Sequence, residues 1–217
     1  MDSISQNNGG EIRKLCRFTN ISILLDILNR KKLFMPNYNS WDNKIDTDIL
    51  DYYLYKMNKK HGTVELRALC FSHGDESIHH WNCYSNDMTG CCIEFDYNSL
   101  LQSFEHLKGI HHGVVNYYRI KELEYGNTPP LAQLPFSRRW PYRVEQEYRI
   151  IHLSDRELNR FDIPIDLKSI SKITISHKMP ESVSETVRKI LGKDVDIVNR
   201  STFLNNNKWL KLVRDNA

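Results

Sequence analysis

Residues 16–37 read CRFTNISILLDILNRKKLFMPN. The run starts with the end of an extended segment, EIRKLCRFTN, which the reading closes near Arg17, Phe18 and Thr19. Apolar residues then fall at 21, 23, 24, 25, 27 and 28, a dense helical stripe followed by basic residues. Asn20 or Ser22 supplies a cap for that helix, because a short polar side chain can accept from an amide of the first turn. LFMPN reads as a short strand. A strand–helix–strand opening with Arg17 and Thr19 at the first junction puts polar groups where clefts form.

Outward from this stretch, ILDYYLYKMNKKHG predicts a helix with a glycine stop, and ELRALCFSHGD an apolar strand. ESIHHWNCYSNDMTG predicts a helix or turn ending at Gly90, and CCIEFDY a strand. NSLLQSFEHLKG predicts a helix capped by Asn98 or Ser99, and GVVNYYRI a strand. A long Pro-bearing connection leads to YRVEQEYRIIHL. There Glu145, Glu147 and Arg149 alternate with period two, the spacing of a strand that turns all three to one face. SKITISHKMP and VDIVNRSTF add two strands around the helix PESVSETVRKILG. The pattern is α+β, with six to eight strands and three to five helices expected rather than strict βαβ alternation.

The chain of 217 residues suits one domain, expected over residues 11–217 behind a mobile tail of residues 1–10. With 30 Lys and Arg against 27 Asp and Glu, the formal charge is +3, which permits a nucleic-acid partner without arguing for one. No apolar run is long enough to span a membrane, and the first residues lack a signal-peptide core, so a cytoplasmic protein is expected. The five cysteines have no C-x-x-C spacing and read as reduced thiols. Nine histidines are scattered along the chain, and His79, His80, Cys83 and Cys91/Cys92 match no common zinc spacing, so no metal is expected. The standard phosphate-binding loops and hydrolase motifs do not occur.

Two carboxylates side by side repel unless something pairs or uses them. The plain reading of Glu145 and Glu147 is an exposed strand face paired with Arg149. The other reading is a cleft floor that breaks glycosidic bonds, since a carboxylate stabilises an oxocarbenium-like transition state. Cleavage of the nicotinamide–ribose bond of NAD belongs to that chemistry and needs no acid, because nicotinamide leaves as a neutral species. Trp81 and Tyr84, three residues apart, share a helical face and read either as core aromatics or as a cleft wall. Arg138, Arg139, Trp140, Tyr142 and Arg143 mix cations with aromatics, as single-strand binders do, or form a surface loop.

Cys70-Phe71-Ser72, Trp81, Tyr84, Gly90, Ile93, Phe95 and Asp96, followed by Glu145-x-Glu147-Tyr-Arg149, resemble the signature of a widespread bacterial family of unknown function, over the span from Leu15 to Val198. The opening stretch is also similar to that of the ADP-ribosyltransferase fold, and Arg17, Tyr84 and Glu147 occur in that superfamily's order. The resemblance implies a central mixed or antiparallel β-sheet system flanked by helices, with NAD as substrate and no metal. It implies that Arg17 and Thr19 hold NAD, that Ser72 and Arg149 line its site, and that Trp81 or Tyr84 stacks on the nicotinamide. Glu147 would stabilise the oxocarbenium, and Glu145 would orient or deprotonate an acceptor. Arg138, Arg139, Trp140 and Arg143 would hold that acceptor, a nucleic acid or a protein. No Ser-Thr-Ser motif follows a strand; Ser72 alone stands there. The resemblance further implies a toxin or phage-defence effector, with an antitoxin or inhibitor as partner. A non-catalytic binding module on the same fold and an NAD glycohydrolase are the alternatives.

Overall fold

The computed structural model describes residues 12–41, 44–85, 87–192, 198–202 and 207–216. The expected tail, residues 1–10, lies outside them. The strands are β1 (Lys14–Asn20), β2 (Lys32–Phe34), β3 (Glu65–Ser72), β4 (Gly90–Asp96), β5 (Ile110–Val114), β6 (Asn116–Tyr118), β7 (Ser137–Arg139), β8 (Glu147–Ser154), β9 (Asp162–Pro164), β10 (Ile170–Ile175) and β11 (Val198–Arg200). The helices are α1 (Ile21–Arg30), α2 (Lys44–His61), α3 (Ile78–Tyr84), α4 (Tyr97–Gln102), α5 (Ile120–Glu124), α6 (Glu181–Leu191) and α7 (Asn207–Asn216).

Seven strands form one sheet in the order β11-β10-β4-β1-β3-β8-β5. It is mixed: β10 and β11 run parallel, and the other pairs are antiparallel. β2 pairs with β9 and β6 with β7 in two small satellites. The α+β architecture with a mixed sheet flanked by helices is therefore as expected.

The sheet's two faces follow from period-two alternation along β3 and β8. Leu69, Phe71, Tyr148 and Ile150 pack with Leu15, Ile93, Phe95 and the buried stripe Leu24, Ile27 and Leu28 of α1. Leu66, Ala68 and Ile151 face the other way, against Leu50 and Tyr53 of α2. On that second face Trp81 of α3 packs on Cys16 and Cys92. Each fully buried apolar side chain of this kind contributes about 1.5–3 kcal/mol.

The opening stretch folds as its pattern dictates. Asn20 caps α1, its side chain accepting from the Ile23 amide at 3.0 Å. The helix stops at Lys31, which takes a left-handed conformation at φ 53°. Arg30 in the last turn reaches Asp162 at 2.8 Å and ties β9 beside β2.

Three expectations change. α4 is capped by Asp96, whose carboxylate accepts from the Ser99 amide at 2.8 Å, not by Asn98 or Ser99. GVVNYYRI splits into β5 and β6 around Val115, whose amide donates to the Glu147 carbonyl at 2.9 Å and ends the run. Glu145 is not in the strand. It closes a 3-10 turn over Trp140–Glu145, Gln146 follows in a left-handed conformation at φ 43°, and β8 begins only at Glu147. The turn is clamped from β3: the His73 amide donates to the Gln146 carbonyl at 2.9 Å. Gly74 lies against Gln146: a Cβ there would sit 1.5 Å from Gln146 Oε1, so any side chain would first require the Gln146 side chain to swing away.

Candidate active site

The site begins as a parting of two central strands. β1 pairs with β4 over seven positions but meets β3 at a single one, Cys16 opposite Ser72. In the next pair of strands, Ser72 stands opposite Glu147 and Cys70 opposite Arg149. Cys16, Ser72 and Glu147 thus form one row across β1, β3 and β8. The parting opens a cleft of about 460 Å³. Cys16, Arg17 and Phe18 of β1 and residues 68–72 of β3 line it. His80, Cys83 and Tyr84 of α3 form a wall, and Pro36, Ser40 and Trp41 form another. Arg138, Glu145, Glu147 and Arg149 complete the lining.

Glu147 is 4% exposed and gripped from two sides. Arg149 holds it through both oxygens, Nε to Oε1 at 2.7 Å and Nη2 to Oε2 at 3.0 Å. Arg138 Nη1 donates to Oε2 at 3.2 Å. Burial alone would push this carboxyl up, but the charges and hydrogen bonds of Arg149, with the charge of Arg138, outweigh it and hold Glu147 below the usual carboxylate value. The group is therefore anionic at neutral pH. Arg149 is itself 1% exposed and also donates to the Pro135 carbonyl at 2.6 Å. Its geometry makes it the clamp on Glu147.

Glu145 reaches the same spot from the 3-10 turn. Its carboxylate accepts from Arg138 and, at 2.8 Å, from the Tyr84 hydroxyl. Arg138 thus bridges both glutamates with its side chain buried, its guanidinium 4.2 Å over the Tyr142 ring. His80 fixes the turn to α3: Nε2 donates to the Glu145 carbonyl at 3.0 Å, and the ring stacks on Phe18 at 4.7 Å. Burial lowers the His80 value, so the ring is neutral and acts as a strut.

Arg17 faces the parted strands from the other wall. It donates to the Cys70 carbonyl at 3.4 Å, and among the described residues no carboxylate lies within ion-pair distance of it. Burial lowers its value, yet a guanidinium stays charged. A half-buried cation with no counter-ion among the described residues favours an anionic ligand. Three guanidiniums, of Arg17, Arg138 and Arg149, face two carboxylates in this cleft.

The remaining sequence candidates divide. Ser72 and Tyr84 line the cleft with Arg17, Glu145, Glu147 and Arg149. Thr19 and Trp81 do not. Thr19 is buried and its carbonyl accepts from Ser85 Oγ; Trp81 is 1% exposed, donates to Glu76 at 2.9 Å and meets Phe18 edge-on, as a core aromatic does. Arg138 belongs to the cleft floor rather than to an outer patch. Arg139 and Arg143 are exposed, and Trp140 lies between Arg119 and Arg143 at 4.3 and 4.8 Å. Phe18, Trp41 and Cys70 enter the lining without a site role expected from the sequence; Cys70 stands in the quoted signature beside Ser72 and Phe18 is the neighbour of Arg17, whereas Trp41 lies in a polar loop with no periodicity. Among the described residues no group of three His, Cys, Asp or Glu side chains is placed to hold a metal ion, and no helix is long and apolar enough to cross a membrane.

No protein-family model matches the chain, and no curated protein matches it. The resemblance to the bacterial family of unknown function stands on the quoted motif alone. Among solved structures the chain is similar to DarT from Thermus sp. 2.9. The complex with NAD+ is 13% identical, with 88% of this chain and 96% of that chain covered and a TM-score of 0.44. The complex with ADP-ribosylated ssDNA is 14% identical, with 91% and 98% covered and a TM-score of 0.44. The complex with carba-NAD+ is 14% identical, with 88% and 96% covered and a TM-score of 0.41. The likeness is distant.

Proposed function

We propose that the chain is an ADP-ribosyltransferase-like enzyme that splits NAD at the nicotinamide–ribose bond and passes ADP-ribose to a macromolecule. The observation that carries this reading is the pairing, across one cleft, of a half-buried arginine that meets no carboxylate among the described residues with a carboxylate clamped in its charged form. Arg17 is chemically suited to the pyrophosphate, since its fork can bond two oxygens at once. Ser72 Oγ accepts from the Gly74 amide at 3.2 Å, which leaves its own proton to donate to the nicotinamide amide. Tyr84 and Phe18 offer rings to the base; Trp81 is too deeply packed for that part.

Glu147 cannot serve as an acid, because Arg149 and Arg138 keep it ionised. It can accept from the ribose 2′-hydroxyl and stabilise positive charge growing at C1′. No acid is required when nicotinamide leaves as a neutral molecule. Glu145, held by Tyr84 and Arg138, is the carboxylate available to accept a proton from the incoming acceptor in this reading.

Incubation with NAD followed by detection of free nicotinamide tests the reading; no release at saturating NAD sinks it. Arg17→Ala is expected to weaken NAD binding by about tenfold to a hundredfold, the worth of charged hydrogen bonds of about 1.5–3 kcal/mol. Calorimetry with NAD measures this, and equal affinity would make Arg17 a structural residue. The acceptor follows from labelled NAD with single-stranded DNA, RNA and protein in parallel. Exposed Arg139 and Arg143 with Trp140 between cations suit a nucleic-acid strand. Arg139→Ala with Arg143→Ala should lower transferred label far more than released nicotinamide, and wild-type transfer should fall steeply with salt. Label on protein alone, insensitive to both changes, excludes a nucleic-acid acceptor. Nicotinamide without any label makes the enzyme a glycohydrolase.

A further inference from the structure

The cleft wall also carries a thiol with its own base. Cys83 and His79 stand four residues apart on α3, so their side chains share one helical face. Cys83 Sγ lies 3.7 Å from His79 Nδ1. The other ring nitrogen, Nε2, lies 3.3 Å from Glu145 Oε1. A carboxylate paired with Arg138 only accepts, so Nε2 carries the ring proton and Nδ1 turns a lone pair to the thiol. Cys83 is exposed and lines the cleft. Glu145 is joined through Arg138 to Glu147, so the thiol and the proposed oxocarbenium stabiliser belong to one connected array. Thiol, imidazole and orienting carboxylate in this order are the parts of an activated nucleophile. Burial and the charge of Glu145 raise the Cys83 thiol, so it rests protonated and a base within reach is what its reactivity requires.

We propose that Cys83, with His79 as its base and Glu145 orienting that base, captures the ribose carbon activated in this cleft, so that the enzyme ADP-ribosylates itself there. This rests on the NAD cleavage proposed above. Sγ attacks C1′ of the nicotinamide ribose, and the C1′–N bond breaks. The bonding pair leaves with neutral nicotinamide, and the thiol proton passes to His79 Nδ1. Glu145 balances the imidazolium. The product is a C1′–S thioglycoside; no oxidant and no second substrate is consumed. ADP-ribose on Cys83 would occupy the wall beside Tyr84 and shut the cleft to further NAD, so each molecule would limit its own turnover. Cys16 and Cys70 also line the cleft; Cys70 bonds to the Glu147 carboxylate and is raised well above the usual range by burial, which makes it the internal comparison.

The full chain, Cys83→Ala and His79→Gln are incubated with NAD, with thermal melting to confirm that each folds. Nicotinamide is measured, and peptide mass spectrometry locates ADP-ribose; mercuric ion should release it and hydroxylamine should not, as for a thioglycoside. Iodoacetamide, which needs no NAD, reports thiol reactivity separately. The expected result is an adduct on Cys83, absent in Cys83→Ala and at least about tenfold slower to form in His79→Gln, with alkylation of Cys83 slowed likewise. Nicotinamide release with no adduct on Cys83 overturns the inference and leaves the reading of the cleft standing. No nicotinamide release overturns that reading and the electrophile assigned here together. Alkylation of Cys83 unchanged in His79→Gln overturns His79 as its base.

Discussion

Glu147→Gln is expected to abolish nicotinamide release and to lower the stability of the fold at the same time. The first effect follows from charge. An anion aimed at a developing oxocarbenium is worth about 3–4 kcal/mol, so its loss should slow turnover at least about a hundredfold. The second effect follows from burial. The carboxylate is 4% exposed and holds Arg149, which is 1% exposed. A neutral amide offers Arg149 one acceptor instead of two and leaves the guanidinium without its counter-ion. Removing one partner of a buried ion pair destabilises by about 3–5 kcal/mol, and an amide of the same shape keeps part of that through its remaining hydrogen bond. Chemical denaturation and a nicotinamide assay well below the melting temperature separate the two effects. A variant that unfolds more easily yet releases nicotinamide at the wild-type rate would falsify the catalytic role and leave Glu147 a structural counter-ion.

How far the site was legible in the sequence depends on what each residue's position rests upon. α1 follows from local periodicity and a cap, and Arg17 from its place at the strand-to-helix junction; Thr19, at the same junction, lies buried outside the cleft. The pairing of Glu147 with Arg149 was likewise readable, because residues two apart on a strand share a face. Glu145 continued the same alternation and yet left the strand. Period two describes side-chain direction but is blind to φ, and the left-handed Gln146 with its Gly74 neighbour is a backbone event. The two glutamates still converge, through Arg138 rather than through a shared strand face. With its basic neighbours Arg138 reads as an acceptor-binding residue or part of a surface loop, since it is the β6–β7 satellite and the 3-10 turn after it that bring the side chain inward. Trp81 shows the reverse: α3 turns Tyr84 to the cleft and Trp81 to the core, and its helical spacing alone could not say which residue faced which way. His79 and Cys83 were weighed only as zinc ligands, although their four-residue spacing already put them side by side.

Arg149→Met should be the most destabilising single change at the site. Methionine fills much of the same space but returns nothing to the Pro135 carbonyl or to Glu147 Oε1, and it removes the cation 5.4 Å from the Trp41 ring. Glu147 is then buried with only Arg138 to balance it, and Arg138 is shared with Glu145. The cost should be about 3–5 kcal/mol, the usual result of stranding one charge of a buried pair. The wild-type pair also sets a pH dependence. Glu147 in the folded protein lies below its ordinary value of 4.5, so its contribution is complete above that value and is lost as pH falls through the depressed one. Arg149→Met should reverse the sign: desolvation then dominates, the folded-state value of Glu147 rises, and acidification relieves the buried charge instead of breaking a pair. Wild-type stability should therefore fall on acidification below about pH 4.5 through this group, while the variant's deficit narrows over the same range. Adding Glu147→Gln to Arg149→Met removes both charges and should restore part of the lost stability without restoring any nicotinamide release. Denaturation midpoints of the two single variants and the double variant at neutral and acid pH measure the coupling. Additive losses with no recovery in the double variant would mean that the two side chains stabilise the fold independently, and the clamp on Glu147 would have to be sought in Arg138.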